Sequence, residues 1–556
     1  MYGRLCIPAM AARPGMAINR ALHPLASYLW LVALLAPIAS GILAPLCFPP
    51  YKIWPLVCLV LIPFGCALRV REQAVWVYSG AVIGSIMFLG IGLQFIERIS
   101  NYENQSLGEH LFRFWLLATL LGVWVWPLAA WLTRFLYSKC QVPFSMAFVT
   151  GWITAEHSRH WFCQVLTNTE CPWMHFGYSL SGQHELLQLA SLGGTTLISA
   201  VIVAVNAALT DVCFARGRAW RSATIRLMCI AGMLSCEFAY EKWHLCRATL
   251  THGPRIAIVA ESPGSRDASE IIQEIEAQAV DNVRDNDTIA LFVWPELAMP
   301  EVTFSNRSTQ AADSMSQLRL QNIEDLSARL QSDLFIGFPR KSSNSRQGTR
   351  WNSVLHVAPK TGVVAFSDKQ FLVPFAEQTP TWGQTPVMQS VLRTPNRGRN
   401  EFAMKQGVRV FEVAATTSHG KLRIAPCICY DCSSPTYLRD AACRTDIILH
   451  LGSEPRDPER TVAQWLLDMA ILRAVETGRP VVRCSRDGYS GVIDSFGRPV
   501  VLEQNPWAPA PILYASVPLS RRDTLYCRLG DWPLIASWML CLVLLLIRGC
   551  NTARQQ

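Results

Sequence analysis

At 556 residues, with 51% hydrophobic and only 16% charged residues, the chain lies outside the range of an ordinary soluble globule. Its net charge of +9 does not point to nucleic acid, because no basic stripe interleaved with aromatics is present and the arginines gather in short connections between apolar runs. Nineteen cysteines suggest a disulfide or zinc scaffold, yet many (Cys47, Cys58, Cys66, Cys229, Cys541) sit within apolar runs, where cysteine behaves as a small hydrophobe. No repeated Cys-x-x-Cys pair at zinc spacing exists, and no matching histidine or second cysteine pair accompanies Cys427, Cys429 and Cys432, so no metal site is expected.

In chain order, a cytoplasmic segment 1–24 precedes seven apolar runs near 25–46, 53–69, 74–96, 111–136, 143–162, 190–213 and 223–240. Each approaches the ~20 residues that a spanning helix needs. They define a transmembrane domain over 25–245, and an eighth run at 530–548 closes the chain. The first run lacks a small-residue cleavage site and reads as an uncleaved helix, with either Met1 or Met16 as the start. Arg69 and Arg71, Arg134 and Lys139, Arg216, Arg218 and Arg221, and Arg548 all fall on the side of the N-terminus, whereas the loop after the third run carries Glu97, Glu103 and Glu109. The excess of positive charge puts both termini in the cytoplasm and the domain between the seventh and eighth helices outside, in the periplasm. Gly80 and Gly84 form a small-xxx-small pattern that predicts close helix packing, and His157 and His160 read as interfacial anchors.

Charge and alternation return from 254 to 520. Strands are predicted at Arg255–Ala260, Thr288–Trp294, Leu334–Pro339, Trp351–Val357, Val408–Val413, Leu422–Cys429, Asp446–Leu451, Pro480–Cys484 and Gly488–Ile493, and helices at Asp267–Val283, Asp313–Leu330 and Val462–Thr477. The alternation of types indicates an α/β layered domain. Three segments within it each put one reactive side chain beside a predicted strand: Glu296 in Val293-Trp294-Pro295-Glu296, Lys369 in Asp368-Lys369-Gln370-Phe371, and Cys429 in Ile428-Cys429-Tyr430-Asp431. A carboxylate, an ammonium and a thiol together supply a base, a charge stabiliser and a nucleophile for attack on a carbonyl.

With this order of Glu, Lys and Cys inside an eight-helix frame, the chain resembles the nitrilase (carbon–nitrogen hydrolase) superfamily and, within it, the apolipoprotein N-acyltransferases. The likeness extends to Cys171-Pro172-Trp173, Phe176-Gly177-Tyr178-Ser179, Gln188, Gly193, Asn206 and Gly530-Asp531-Trp532-Pro533. The resemblance implies a polytopic α-helical membrane domain plus an α/β nitrilase-type αββα sandwich. It implies Glu296 as general base, Lys369 as oxyanion stabiliser and Cys429 as nucleophile, with Glu377, Tyr430 and Asp431 as auxiliary residues. It further implies a membrane phospholipid as acyl donor, a diacylated apolipoprotein as acceptor, the bacterial inner membrane as location and no cofactor; a monomer is expected. The chain departs from the family pattern at Asp431 (usually Glu), at Gly452-Ser453-Glu454-Pro455-Arg456-Asp457 and at Arg486-Asp487-Gly488, loops that the resemblance assigns to the substrate mouth. Those departures leave a second reading, a membrane-anchored amidase or acyltransferase for another acceptor, accessory to conjugative transfer. A third, a scaffold without catalysis, would be expected to have lost part of the triad.

Overall fold

The computed structural model describes residues 28–70, 73–94, 122–215, 217–247, 251–259, 289–305, 310–343, 349–374, 376–385, 402–404, 409–417, 420–454, 459–504, 512–520 and 522–555. The predicted helix Asp267–Val283, much of the fourth apolar run, Glu97, Glu103, Glu109 and the Pro455-Arg456-Asp457 part of the altered loop lie outside these residues.

The first half is helical: α1 (Leu29–Leu43), α2 (Ile62–Leu68), α3 (Ala74–Gly92), α4 (Val125–Arg134), α5 (Phe144–Thr167), α6 (Ala190–Phe214) and α7 (Arg218–Arg247). Among the described residues, Leu29–Cys47, Ala74–Gly92, Ala190–Phe214 and Trp220–Arg247 are long and apolar enough to cross a membrane, and Trp54–Leu68 and Trp532–Ile547 are shorter apolar helices. This is a membrane protein. Its α7 turns Ile225, Met228, Met233 and Phe238 outward, as a lipid-facing helix must. The glycine pattern does what its spacing predicts. A Cβ on Gly80 would sit 2.4 Å from the Leu34 carbonyl oxygen and one on Gly84 2.6 Å from that of Pro37, so the α1 and α3 backbones touch there. His160 meets Glu170 at 2.9 Å, a carboxylate that local spacing does not reveal.

The second half contains two sheets. One runs β13-β1-β2-β4-β5-β6, with β3 (Val302–Phe304) paired to β4; the other runs β12-β11-β10-β9-β8-β7. In the first, β1 is Thr251–Ile258, β2 Leu291–Val293, β4 Asp333–Ser342, β5 Arg350–Ala358, β6 Gly362–Asp368 and β13 Leu513–Leu519. In the second, β7 is Phe411–Thr417, β8 Gly420–Ile428, β9 Ile447–Gly452, β10 Val481–Ser485, β11 Tyr489–Ile493 and β12 Pro499–Gln504. Period-two alternation explains how they stack. Leu422, Ile424 and Ile428 of β8 join Ile256, Val293 and Phe335 in a core between the sheets, while Ala425 and Cys427 face the other way. Helix α8 (Ser314–Leu330) covers the first sheet with Leu320 and Leu326, and its start is fixed by Asp313, whose Oδ1 accepts from the Ser316 N–H at 2.8 Å.

The second sheet is covered by α9 (Pro435–Ala442) and α10 (Thr461–Thr477). Helix–sheet–sheet–helix layering is the expected αββα sandwich. Nearly every residue of α10 is buried, because its far side packs on the apolar helices of the first half. Trp465 stacks on Phe48 at 5.4 Å, Asp468 accepts from Lys52 at 2.6 Å and Arg473 donates to the Tyr178 hydroxyl at 3.1 Å. Helix α6 breaks at Gly193–Gly194, where Gly194 has φ +66° and a Cβ would strike the Tyr526 ring at 2.6 Å. The freed Thr195 N–H is taken up by Glu476 Oε1 of α10 at 3.0 Å.

Cys443, just past α9, is disulfide-bonded to Cys527 in α11 (Leu525–Leu529), directly before α12 (Trp532–Gln555). The link closes 84 residues of chain. Replacing Cys527 with serine is expected to lower stability by about 2–4 kcal/mol, as loss of a native crosslink over a long loop does. Thermal unfolding in detergent gives the loss, and a non-reducing peptide map that lacks the linked pair in the wild type would refute it.

Candidate active site

Strand order and direction bring the three reactive segments together. Strands β2 and β4 are parallel, β5 is antiparallel to β4 and β6 antiparallel to β5, so β2 and β6 end on the same edge of the first sheet. Glu296 follows β2 and Lys369 follows β6; Cys429 follows β8 of the facing sheet. The Glu296 turn crosses β4 where a side chain could not fit: a Cβ on Gly337 would lie 2.6 Å from the Glu296 Cα. Arg340 donates twice to Asp368 at 3.0 and 2.9 Å, which fixes the end of β6 one residue before Lys369.

Lys369 Nζ donates to Glu296 Oε1 at 3.1 Å and to Glu377 Oε1 at 2.9 Å. Asn352 Nδ2 lies between the same carboxylates, donating to Glu296 at 2.6 Å and to Glu377 at 3.2 Å. Glu296 and Lys369 are both buried. Burial opposes the Lys369 charge, but Cys429 and the Glu296, Glu377 and Asp431 carboxylates outweigh it and hold the ammonium well above its ordinary value. Cys429 is partly exposed as a residue while its thiol is enclosed, and burial pushes that thiol well above the ordinary range, with Glu296, Glu377 and Glu454 adding to the effect and Lys369 opposing it. A thiol so raised needs a base before it can react as a thiolate.

The Cys429 backbone has φ +48°, a left-handed conformation costly for a residue with a Cβ. Strand β8 ends at Ile428, and Cys429 after it packs against both the α10-side core that holds Cys427 and the core between the sheets. The Tyr430 side chain leaves the triad: its hydroxyl donates to the Glu170 carbonyl at 2.9 Å and accepts from Trp173 Nε1 at 2.9 Å. The Cys171-Pro172-Trp173 segment of the helical half thus touches the residue beside Cys429.

Asp431 works on backbone. Its Oδ1 accepts from the Gln370 and Phe371 N–H groups at 3.0 and 2.8 Å and its Oδ2 from Ile428 N–H at 3.0 Å, stapling the Lys369 loop to the Cys429 turn. The shorter side chain is thus held within its own hydrogen bonds. Burial pushes its carboxyl up to about 7, against Lys369 and those backbone donors. Asp431→Asn must set an NH2 against a backbone N–H. The expected cost is about 1–3 kcal/mol, seen as a lowered Tm, together with slower chemistry as Lys369 shifts; an unchanged Tm would sink this account.

The altered loops turn inward where they are described. Glu454 is buried and ion-paired with Arg483, and Arg486 donates at 2.8 Å to the carbonyl of Leu297, beside Glu296. On three adjacent strands Cys427, His450 and Arg483 stand in register, and the Cys427, Cys432 and His450 ligand atoms lie within 4.8 Å of one another. Sequence spacing gave no histidine partner for these cysteines; strand register supplies one. Both His450 ring nitrogens are engaged, Nε2 with the Cys429 carbonyl at 3.1 Å and Nδ1 with Arg483 Nη1 at 2.7 Å, the same Nη1 lying 3.4 Å from Nε2.

Residues 40–208 match the model of the apolipoprotein N-acyltransferase N-terminal domain, and residues 255–525 match that of the carbon-nitrogen hydrolases. The chain is 27% identical over 535 residues to a Pseudomonas putida protein named apolipoprotein N-acyltransferase, covering 93% of this chain and 96% of that one. A protein of the same name from Azotobacter vinelandii is 26% identical, with 92% and 95% covered. Among solved structures, Saccharomyces cerevisiae Nit3 of the nitrilase superfamily aligns with 51% of this chain and 96% of its own at 16% identity and a TM-score of 0.35.

Proposed function

The chain belongs to the apolipoprotein N-acyltransferases of the carbon–nitrogen hydrolase superfamily, and from that premise we propose that it moves an acyl chain from a membrane phospholipid, through a thioester on Cys429, to the N-terminal amine of a diacylglyceryl-cysteine lipoprotein. The observation that carries this reading is the shared contact of Lys369 with Glu296 and Glu377 at the strand end facing Cys429.

Glu296 takes the proton from Cys429 Sγ as the sulfur attacks the donor ester carbon. The carbonyl oxygen becomes an oxyanion, met by the Lys369 ammonium and the backbone N–H of Tyr430. The C–O bond then breaks, the departing lysophospholipid oxygen receives the proton held by Glu296, and the acyl group remains on sulfur. In the second half the lipoprotein amine attacks the thioester carbon and gives its proton to Glu296, the C–S bond breaks, and Glu296 returns that proton to the departing Cys429 sulfur. The residues the chemistry uses supply each proton and charge without a cofactor.

The reading extends to place and organisation. The transmembrane domain spans 25–245, the catalytic domain spans 254–520 and faces the periplasm of an inner membrane, and 530–548 is the closing anchor. The positive loop charges support this orientation, and the Cys443–Cys527 disulfide fits an oxidising compartment. Whole-length likeness to proteins named N-acyltransferase leaves a different acceptor unfavoured.

The deciding experiment is complementation of a strain depleted of its own N-acyltransferase. Growth with triacylated lipoprotein detected by mass spectrometry is expected. An acyl-thioester at Cys429 with no lipoprotein product would redirect the acceptor, and no acyl adduct at all would refute the reading.

A further inference from the structure

The Cys429 turn has a left-handed backbone, and something must hold it there. Asp431 staples the amide before it, at Ile428. The carbonyl after it is met by His450, whose Nε2 lies 3.1 Å from the Cys429 oxygen. A carbonyl only accepts, so Nε2 carries the proton and Nδ1 is the acceptor facing Arg483 Nη1 at 2.7 Å. Arg483 is fixed in turn: its Nε donates to the Tyr489 carbonyl at 2.8 Å and its Nη2 to Glu454. His450 and Arg483 are fully buried and Glu454 nearly so. Burial and then the Arg483 charge keep the His450 ring well below its ordinary titration range, so it stays neutral. Gly452 and Gly488 make room for the carboxylate: a Cβ on either would come within 2.8 and 2.5 Å of a Glu454 oxygen.

A trans peptide points its C=O and N–H in opposite directions. Fixing the Cys429 oxygen on His450 therefore fixes the direction of the next N–H, that of Tyr430, on the far side of the same plane. We propose that the chain Glu454–Arg483–His450 positions the Cys429–Tyr430 peptide, holding the Tyr430 N–H on the oxyanion of the acyl-transfer step. The proposal rests on Cys429 being the acylated thiol. It gives the altered 452–454 segment a purpose at the nucleophile, and His450 becomes a positioning residue that touches no substrate.

The test compares two reactions of one thiol. Acylation from phospholipid passes through an oxyanion; alkylation by iodoacetamide displaces iodide at a saturated carbon and forms none. In detergent-purified full-length protein, His450→Ala is expected to slow acyl-thioester formation on Cys429 by about 30- to 300-fold, the range seen on losing an oxyanion donor. Mass mapping of the Cys429 peptide should find its alkylation rate within about threefold of wild type. His450→Gln, whose amide N–H can still reach the carbonyl, should recover acylation to within about tenfold.

A parallel fall in both reactions, in either variant, would mean a structural role and overturn the proposal, as would unchanged acylation in His450→Ala. If His450→Ala fails to fold, His450→Gln decides alone: acylation lowered more than about tenfold together with alkylation also lowered refutes positioning. Failure of the underlying reading looks different, because wild-type protein would then form no acyl adduct on Cys429.

Discussion

Cys429→Ala is expected to reduce acyl transfer by at least ~10⁴-fold, leaving the diacylated lipoprotein unprocessed and no thioester on the enzyme. A Cys429→Ser chain should fare little better, because a hydroxyl holds its proton far more tightly than a thiol and the Cys429 thiol is already raised by burial. The backbone allows a sharper form of the experiment. At φ +48° a side chain costs about 1–2 kcal/mol, which glycine escapes while giving back about 0.5–1 kcal/mol in chain entropy. Cys429→Gly should therefore be at least as stable as Cys429→Ala, although both are inactive. Retained lipoprotein triacylation in either variant would end the case for Cys429, and a Gly variant clearly less stable than the Ala variant would end the case for backbone strain.

Lys369→Met is expected to act on both chemistry and stability. Removal of a preorganised cation from a forming oxyanion costs about 10²–10³ in rate. The same change leaves Glu296 and Glu377 facing one another across the space that Nζ filled at 3.1 and 2.9 Å, and breaking a buried pair in this way costs about 3–5 kcal/mol. Without the ammonium, two neighbouring carboxylates cannot both stay ionised, so one takes up a proton and its pKa in the folded variant rises above the unfolded value. A raised folded pKa adds stability below the unfolded value and loses it as pH rises through the folded one. The Tm deficit of the variant should therefore shrink toward about pH 5 and widen toward about pH 8. A deficit that stays constant across that interval would mean the two carboxylates do not share the lysine.

Local pattern was enough for much of the framework. Alternation marked β4, β5, β8, β9 and β10, and the acidic start of α8 and the apolar run of α10 were plain. Strand β6, which carries Lys369 to the site, showed only through the Lys369 motif and without bounds, because its Gly362-Val-Val-Ala-Phe-Ser-Asp run mixes faces around a glycine turn. Strand β13 returns beside β1 after more than two hundred residues, a pairing no local signal encodes. The Glu296, Lys369 and Cys429 segments stood out because each is a distinctive short motif. Asn352, His450 and Arg483 were not, since their partners lie across strands. One signal was present: a polar residue flanked by buried apolar ones, His450 between Leu449 and Leu451 and Arg483 between Val482 and Cys484. Such a residue must find a partner inside the fold, though the sequence does not say which.

The sandwiched position of α10 bears on what can be made from this protein. Expressed alone, residues 254–520 would emerge from a host with Trp465 stripped of Phe48, Asp468 of Lys52, Arg473 of Tyr178 and Glu476 of the Thr195 amide. An excised catalytic unit would present a sticky, charge-studded helix to solvent and aggregate. The catalytic layer and its lipid-embedded neighbour have to be produced, purified and inherited as one piece.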